Sequence, residues 1–121
     1  MDSHPIVHLE ISALDPAKSS KFYHDVFGWQ IEHAPEFNYY QFRIDGGFGG
    51  GFNQIGGQHA PGEVIPYIGV NDVDAALEKI KAAGGEVVTP KLDIGDFGQF
   101  AIFSDPSGNR IGLYRALRQP G

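Results

Sequence analysis

Residues 7–16 read Val7-His8-Leu9-Glu10-Ile11-Ser12-Ala13-Leu14-Asp15-Pro16, and residues 64–73 read Val64-Ile65-Pro66-Tyr67-Ile68-Gly69-Val70-Asn71-Asp72-Val73. In the first stretch Val7, Leu9 and Ile11 alternate with His8, Glu10 and Ser12. In the second, Pro66, Ile68 and Val70 alternate with Ile65, Tyr67 and Gly69. A period of two is the signature of a strand, whose successive side chains point to opposite faces. Each strand runs into an aspartate, Asp15 or Asp72, placed to cap a helix. When the chain is slid along itself until Asp15 meets Asp72, Gly28 meets Gly85, Ile31 meets Val88 and His8 meets Ile65. The identities are few and the pattern is shared, which makes this an internal repeat.

Working outward, each cap opens a helix. Pro16 suits a first helical position, where its missing N–H needed no partner. Ser19, Phe22, Tyr23 and Val26 share one helical face, as do Val73, Ala76, Leu77 and Ile80. Gly28 ends the first helix and Gly84-Gly85 the second, by the positive-φ stop that glycine allows. Short strands are then expected over residues 29–33, 39–44 and 49–54 in the first half, and over 86–90, 98–104 and 110–115 in the second. Asp105-Pro106-Ser107-Gly108 has type I turn chemistry and joins the last two strands. The polar, Gly/Pro-rich residues 56–63 read as a linker. The result is an α+β chain of two βαβββ modules, residues 5–55 and 64–116, within one domain of 121 residues. Each helix covers one sheet face. Two such sheets side by side are expected to form a cup-shaped mixed sheet, whose mouth is a place for a ligand.

The bulk properties narrow the functions. With no cysteine there is no disulfide framework, thiolate metal site or cysteine nucleophile. A net charge of −6 without a basic cluster argues against nucleic acid as partner. Met1-Asp2-Ser3-His4-Pro5 lacks the basic and apolar regions of a signal peptide, and no apolar run approaches the roughly 20 residues needed to span a bilayer. The expectation is a soluble, cytoplasmic protein that does not meet a membrane. The glycines at 46–51 do not form a phosphate loop, because no Lys-Ser pair follows and no helix opens there. They suit a strand that lets a ligand or a partner module approach closely.

Three groups of residues carry a resemblance. They are His8-Leu9-Glu10-Ile11 with Asp15-Pro16, then Phe22-Tyr23 with Val26-Phe27-Gly28-Trp29, then Ile68 to Ala76 with Gly84-Gly85 and Phe103 to Asn109. Together, over nearly the whole chain, they resemble the vicinal-oxygen-chelate superfamily of glyoxalases, bleomycin resistance proteins and extradiol dioxygenases. The nearest likeness is to its small glyoxalase-like members. The resemblance implies a ligand in the cup, a divalent metal chelating neighbouring substrate oxygens, lyase, isomerase or dioxygenase chemistry, and a homodimer. It places His8 on the first-strand metal-ligand position. The other ligand positions fall on Ile65, on Gly112, and among Gly49, Gly50 and Gly51, so the partner ligands of His8 are not identifiable. A firm transition-metal site needs three or more protein donors.

His8 and Glu10, two apart on one strand face, are the candidate catalytic pair. Tyr67, Arg110, Tyr114 and Gln99 are the candidate ligand contacts, the tyrosines as amphipathic walls and the arginine as a clamp for an anionic group. Tyr39, Gln41 and Arg43 alternate with Tyr40, Phe42 and Ile44. The second set is expected to pack, and the direction of the first stays open. His24, His33 and His59 read as surface histidines. Three functions remain on the residues alone: a metal-independent binder of a small organic molecule, an enzyme centred on His8 and Glu10, and an interaction module that kept only the scaffold.

Overall fold

The computed structural model describes residues 3–36, 39–54 and 63–116. The expected linker apart from Glu63, and His59 within it, lie outside the described residues. The elements follow in the order β1 (Ile6–Ala13), α1 (Pro16–Phe27), β2 (Gln30–Ala34), β3 (Tyr39–Arg43), β4 (Gly49–Gln54), β5 (Val64–Gly69), α2 (Val73–Ala82), β6 (Glu86–Asp93), β7 (Gln99–Ser104) and β8 (Arg110–Arg115), with a single 3-10 turn at Gly95–Phe97 before β7. This is the α+β class with βαβββ written twice. No helix among the described residues is long and apolar enough to cross a membrane.

The chain divides into two compact units, His8–Ile65 and Met1–Val7 with Pro66–Gly121. In the first, the strand order is β2-β3-β4-β1, with β1 and β4 parallel and the other neighbours antiparallel. Asp15 accepts hydrogen bonds from the N–H groups of Ala17 and Lys18 at 3.1 and 3.3 Å. Gly28 closes α1 at φ 75°. The core on the α1 side joins Ala13, Phe42 and Phe52 with Leu9, Ile11, Tyr23, Trp29, Ile31, Tyr40 and Ile44. Its rings are stacked: Tyr23 on Trp29 at 4.7 Å, and Trp29 on Phe42 at 4.5 Å. His24 binds the carbonyl of Trp29 at 2.9 Å and His33 stacks on Tyr40 at 4.3 Å, each from an exposed position.

The face expected of α1 needs a correction. Ser20 is buried and Tyr23 packs into the core, whereas Phe22 and Val26 are 54% and 57% exposed. Ser19 and Ser20 are small enough to let the helix approach the sheet. The buried stripe therefore runs through Pro16, Ser19, Ser20 and Tyr23, one residue round from the stripe that hydrophobicity alone selects.

In the second unit the strand order is β5-β8-β7-β6, with β5 and β8 parallel. Asp72 accepts from the Ala75 N–H at 3.0 Å. Val73, Leu77, Ala101 and Leu113 form the core beneath α2, joined by Ile68, Val70, Ala76, Ile80 and Phe103. The expected turn is held by Asp105, which accepts from the Ser107 and Asn109 N–H groups at 2.9 Å and from the Asn109 side chain. Those bonds hold its carboxyl below the usual 3.8, the Asn109 side chain contributing most. Strand β6 runs three residues past the expected end, straight through Pro90. It can do so because β6 is the last strand in its sheet order, and its pairing with β7 shifts register between Val87 and Thr89 and again between Thr89 and Leu92. An edge strand with bulges tolerates a residue that has no N–H to donate.

Phe52 is 1% exposed, on the strand between β1 and β3. Phe52→Ala is expected to lower unfolding free energy by about 3–5 kcal/mol, measured by urea denaturation, with the transition still cooperative.

Candidate functional site

The cores settle which side chains lie on the sheet faces turned away from the helices. In the first unit Leu9, Ile11 and Ala13 of β1, Tyr40 and Phe42 of β3, and Phe52 of β4 all lie toward α1. Alternation then puts His8, Glu10 and Ser12, Tyr39, Gln41 and Arg43, and Gly49, Gly51 and Asn53 on the opposite face. The direction of Tyr39, Gln41 and Arg43, open in the sequence, is thereby decided. Arg43 spends its guanidinium on Gln30, with Nη2 donating to Oε1 at 3.0 Å.

Register brings these residues into rows. Glu10 lies beside Gly51, and Gly51 beside Gln41. Glu10 is buried, at 6% exposure. Its carboxylate meets three side chains from three strands. Oε2 is hydrogen-bonded to His8 Nε2 on its own strand. The Tyr39 hydroxyl donates to the same oxygen at 2.5 Å from β3, and stands 3.4 Å from His8 Nε2. Asn53 Nδ2 donates to Oε1 from β4. A buried carboxylate is costly unless donors satisfy it, and charge-assisted bonds of this kind are the strong ones. The imidazole is only partly buried, so the cluster reaches the surface through His8.

Tyr39 reaches Glu10 across the whole width of β4. It does so because Gly51 has no side chain: a Cβ there would lie 1.7 Å from the Tyr39 hydroxyl oxygen. Gly50 serves a different end. Its missing Cβ makes room for the Leu9 carbonyl and the Phe42 ring on the core side.

On β5, β7 and β8 the face away from α2 carries the buried Ile65, Tyr67 and Ile102 together with Phe100, Arg110, Gly112 and Tyr114. Tyr67 pairs with Gly112 in register and its ring fills the glycine's place, since a Cβ on Gly112 would lie 2.3 Å from two ring carbons. Phe100 meets Tyr67 edge to face at 6.4 Å. Burial pushes the Tyr114 hydroxyl above the ordinary 10.0. Arg110 and Tyr114 are half-buried on this face of β8. Gln99 stands apart from them. It shares the parity of Ala101 and Phe103, which face α2, and its amide donates to Asp93 at 2.9 Å.

The structure thus brings His8 and Glu10 together, and brings Tyr67, Arg110 and Tyr114 onto one face. It adds Tyr39, whose direction the sequence left open, and Asn53, which the sequence did not single out. Parity from a core Phe52 would have put Asn53 on the Glu10 face. Only the register of three strands puts it on the carboxylate.

These residues do not fit a transition-metal centre. Among the described residues no group of three or more His, Asp or Glu stands together. His8 and Glu10 are two donors, and one carboxylate oxygen, Oε2, is already engaged by both His8 and Tyr39. At Gly51 and Gly112, where a further ligand would project, tyrosine rings fill the space.

The profile of the Glyoxalase/Bleomycin resistance protein/Dioxygenase superfamily matches residues 5–113. The chain is 32% identical over 129 aligned residues to "Putative glyoxylase CFP32" of Mycobacterium tuberculosis, covering 93% of this chain and 46% of that protein. It is 28% identical to the anthracycline biosynthesis protein DauV of a Streptomyces species, covering 88% of this chain and 45% of that one. The chain therefore spans a little under half the length of these two relatives. Among solved structures it resembles methylmalonyl-CoA epimerase from Mycobacterium tuberculosis, with a TM-score of 0.71, 17% identity, and coverage of 98% and 94% of the two chains. That last likeness is one of fold.

Chelation with EDTA is expected to leave the melting temperature of the protein unchanged, because the described donor set is too small to fold around a metal. A melting point that falls on chelation, and is restored by one metal per chain, is the contrary result. The Tyr114 phenol is favoured in its neutral form by burial, so its contribution to stability is present below pH 10 and lost as pH rises through its higher folded value. Tyr114→Phe is expected to flatten the loss of stability in alkaline denaturation curves above that pH.

Proposed function

The chain belongs to the Glyoxalase/Bleomycin resistance protein/Dioxygenase superfamily, and we propose that it binds a small organic molecule on the open face of β1, β3 and β4, with Glu10 as the group that recognises it. The observation that carries this reading is the Glu10 carboxylate: 6% exposed, yet met by His8, Tyr39 and Asn53 from three strands. Folding does not require a carboxylate there, because an apolar residue in its place would avoid the desolvation cost altogether. A preorganised acceptor beside a partly exposed imidazole is instead what a polar ligand group needs.

Binding does not need the metal of the wider family. The two-donor set offers recognition by hydrogen bonds, and the aromatic face of Tyr67, Phe100 and Tyr114 offers apolar contact of its own. Arg110, half-buried on that face, suits an anionic or carbonyl oxygen.

A second reading is favoured by the adjacency of His8 and Glu10 and by the glyoxylase name of the relative at 32% identity. In it the pair moves a proton on the bound molecule. Imidazole and carboxylate in hydrogen-bond contact can pass a proton between them, and the Tyr39 hydroxyl adjoins both. A lyase or isomerase step that needs only proton transfer is compatible with these groups. The reading is a property of the chain's own residues and invokes no cofactor. A homodimer in solution belongs to the same proposal, and sedimentation equilibrium measures it.

A thermal-shift screen of small polar organic compounds, followed by calorimetry on the hits, tests the binding reading. Glu10→Gln keeps the shape and removes the charge. It is expected to weaken any compound bound on this face by about tenfold or more, with little change in the melting temperature of the free protein. Equal affinity in the variant would sink the role given to Glu10. Turnover of a bound compound that disappears in both His8→Ala and Glu10→Gln would select the catalytic reading over simple binding.

A further inference from the structure

The three bonds to Glu10 are not distributed evenly between its oxygens. A carboxylate oxygen has two lone pairs. Both acceptor positions of Oε2 are taken, by His8 Nε2 and by the Tyr39 hydroxyl. Among the described side chains Oε1 has one donor, Asn53. A ligand arriving on this face therefore finds one unfilled acceptor direction, on Oε1.

Tyr39 determines which oxygen that is. Its ring lies over the bare backbone of Gly51, where a Cβ would fall 1.7 Å from the hydroxyl oxygen, 2.1 Å from Cζ and 2.5 Å from Cε1. Gly51 does not have the positive φ for which glycine is usually needed. It is glycine for the space. Without that space the ring could not cross β4, and the carboxylate would be free to turn about its last bond. Asn53 from the neighbouring strand braces the other oxygen.

We infer that Tyr39, seated on Gly51, is the positioning residue of this site, and that the site selects ligands presenting a hydrogen-bond donor, an O–H or N–H, to Oε1 of Glu10. The inference rests on the reading that Glu10 faces the ligand. It goes further by naming the ligand class. Hydroxyl and amide compounds satisfy the open acceptor direction. Ethers, tertiary amides and free anions present only acceptors to a carboxylate, and leave it unpaired or repelled.

Matched fragments test this on the whole chain. Phenol is compared with anisole, and benzamide with N,N-dimethylbenzamide, by NMR titration that follows the backbone amides of residues 49–53. Phenol and benzamide are expected to move these resonances saturably, and their methylated partners to bind about tenfold more weakly or worse. In Tyr39→Phe the ring keeps its seat and the hydroxyl is gone. The donor preference is expected to fall by about threefold or more while the melting temperature holds, which a merely structural role would not produce. Gly51→Ala removes the seat and keeps the hydroxyl, and is expected to lose the same preference. Glu10→Gln is expected to abolish it.

If the methylated partners bind as well as the donors and still move the β4 resonances, the inference is overturned and the reading of a ligand face survives. If none of the four compounds moves those resonances, both are overturned. A donor preference unchanged in Tyr39→Phe overturns the role assigned to Tyr39.

Discussion

Burying a carboxylate costs several kcal/mol unless donors replace the water it loses. Glu10 sits on β1 beside β4 and is 6% exposed, and that cost sets the terms for much around it. Its own strand supplies His8 two residues away. The adjacent strand supplies Asn53, and the strand beyond supplies Tyr39 across a glycine. A slip of one residue in either pairing would turn Asn53 or Tyr39 to the α1 side and leave the carboxylate short of a donor. The hydrophobic core on one face and the polar cluster on the other thus demand the same register, and each reinforces the other.

The two halves show one backbone plan carrying two kinds of chemistry. Glu10 beside Gly51 corresponds to Tyr67 beside Gly112. Phe100 stands on β7 where Tyr39 stands on β3, Tyr114 on β8 where Asn53 stands on β4, and Ile65 where His8 stands. A ring leans over the glycine in both halves: Tyr39 over Gly51 and Tyr67 over Gly112. In the first half the ring carries a hydroxyl to a carboxylate. In the second it packs edge to face on another ring. The repeat is conserved in space-filling logic while its polar content is concentrated in one module. That asymmetry leaves His8 and Glu10 without matching donors at Ile65 and Tyr67, so the described residues fall short of the donor count a symmetric metal centre would need.

The glycines of β4 show how a compositional oddity resolves into separate physical duties. Gly50 faces the core and yields to the Leu9 carbonyl and the Phe42 ring, whereas Gly51 faces away from α1 and yields to Tyr39. Neither acts as a hinge or a phosphate cradle. Gly49–Gln54 pairs with β1 along its whole length, and Gly50, Gly51 and Phe52 pair with β3, while side chains of the neighbouring strands supply the bulk that glycine lacks.

The amino-acid order alone determined the repeat, the caps at Asp15 and Asp72, the turn at Asp105, the α2 face and the pairing of His8 with Glu10. All of these are local: periods of two and 3.6 residues and the bonds an aspartate makes to its own neighbourhood. The α1 stripe lies one residue round from the hydrophobic one because small serines, rather than bulky residues, permit close helix–sheet contact. The run of β6 through Pro90 was hidden because an edge strand's tolerance depends on having no neighbour there. The convergence of Tyr39 and Asn53 on Glu10, and the separation of Gln99 from Tyr67 and Tyr114, were decided by tertiary structure. Strand register joins residues far apart in sequence, and no local period records which of them will share a row.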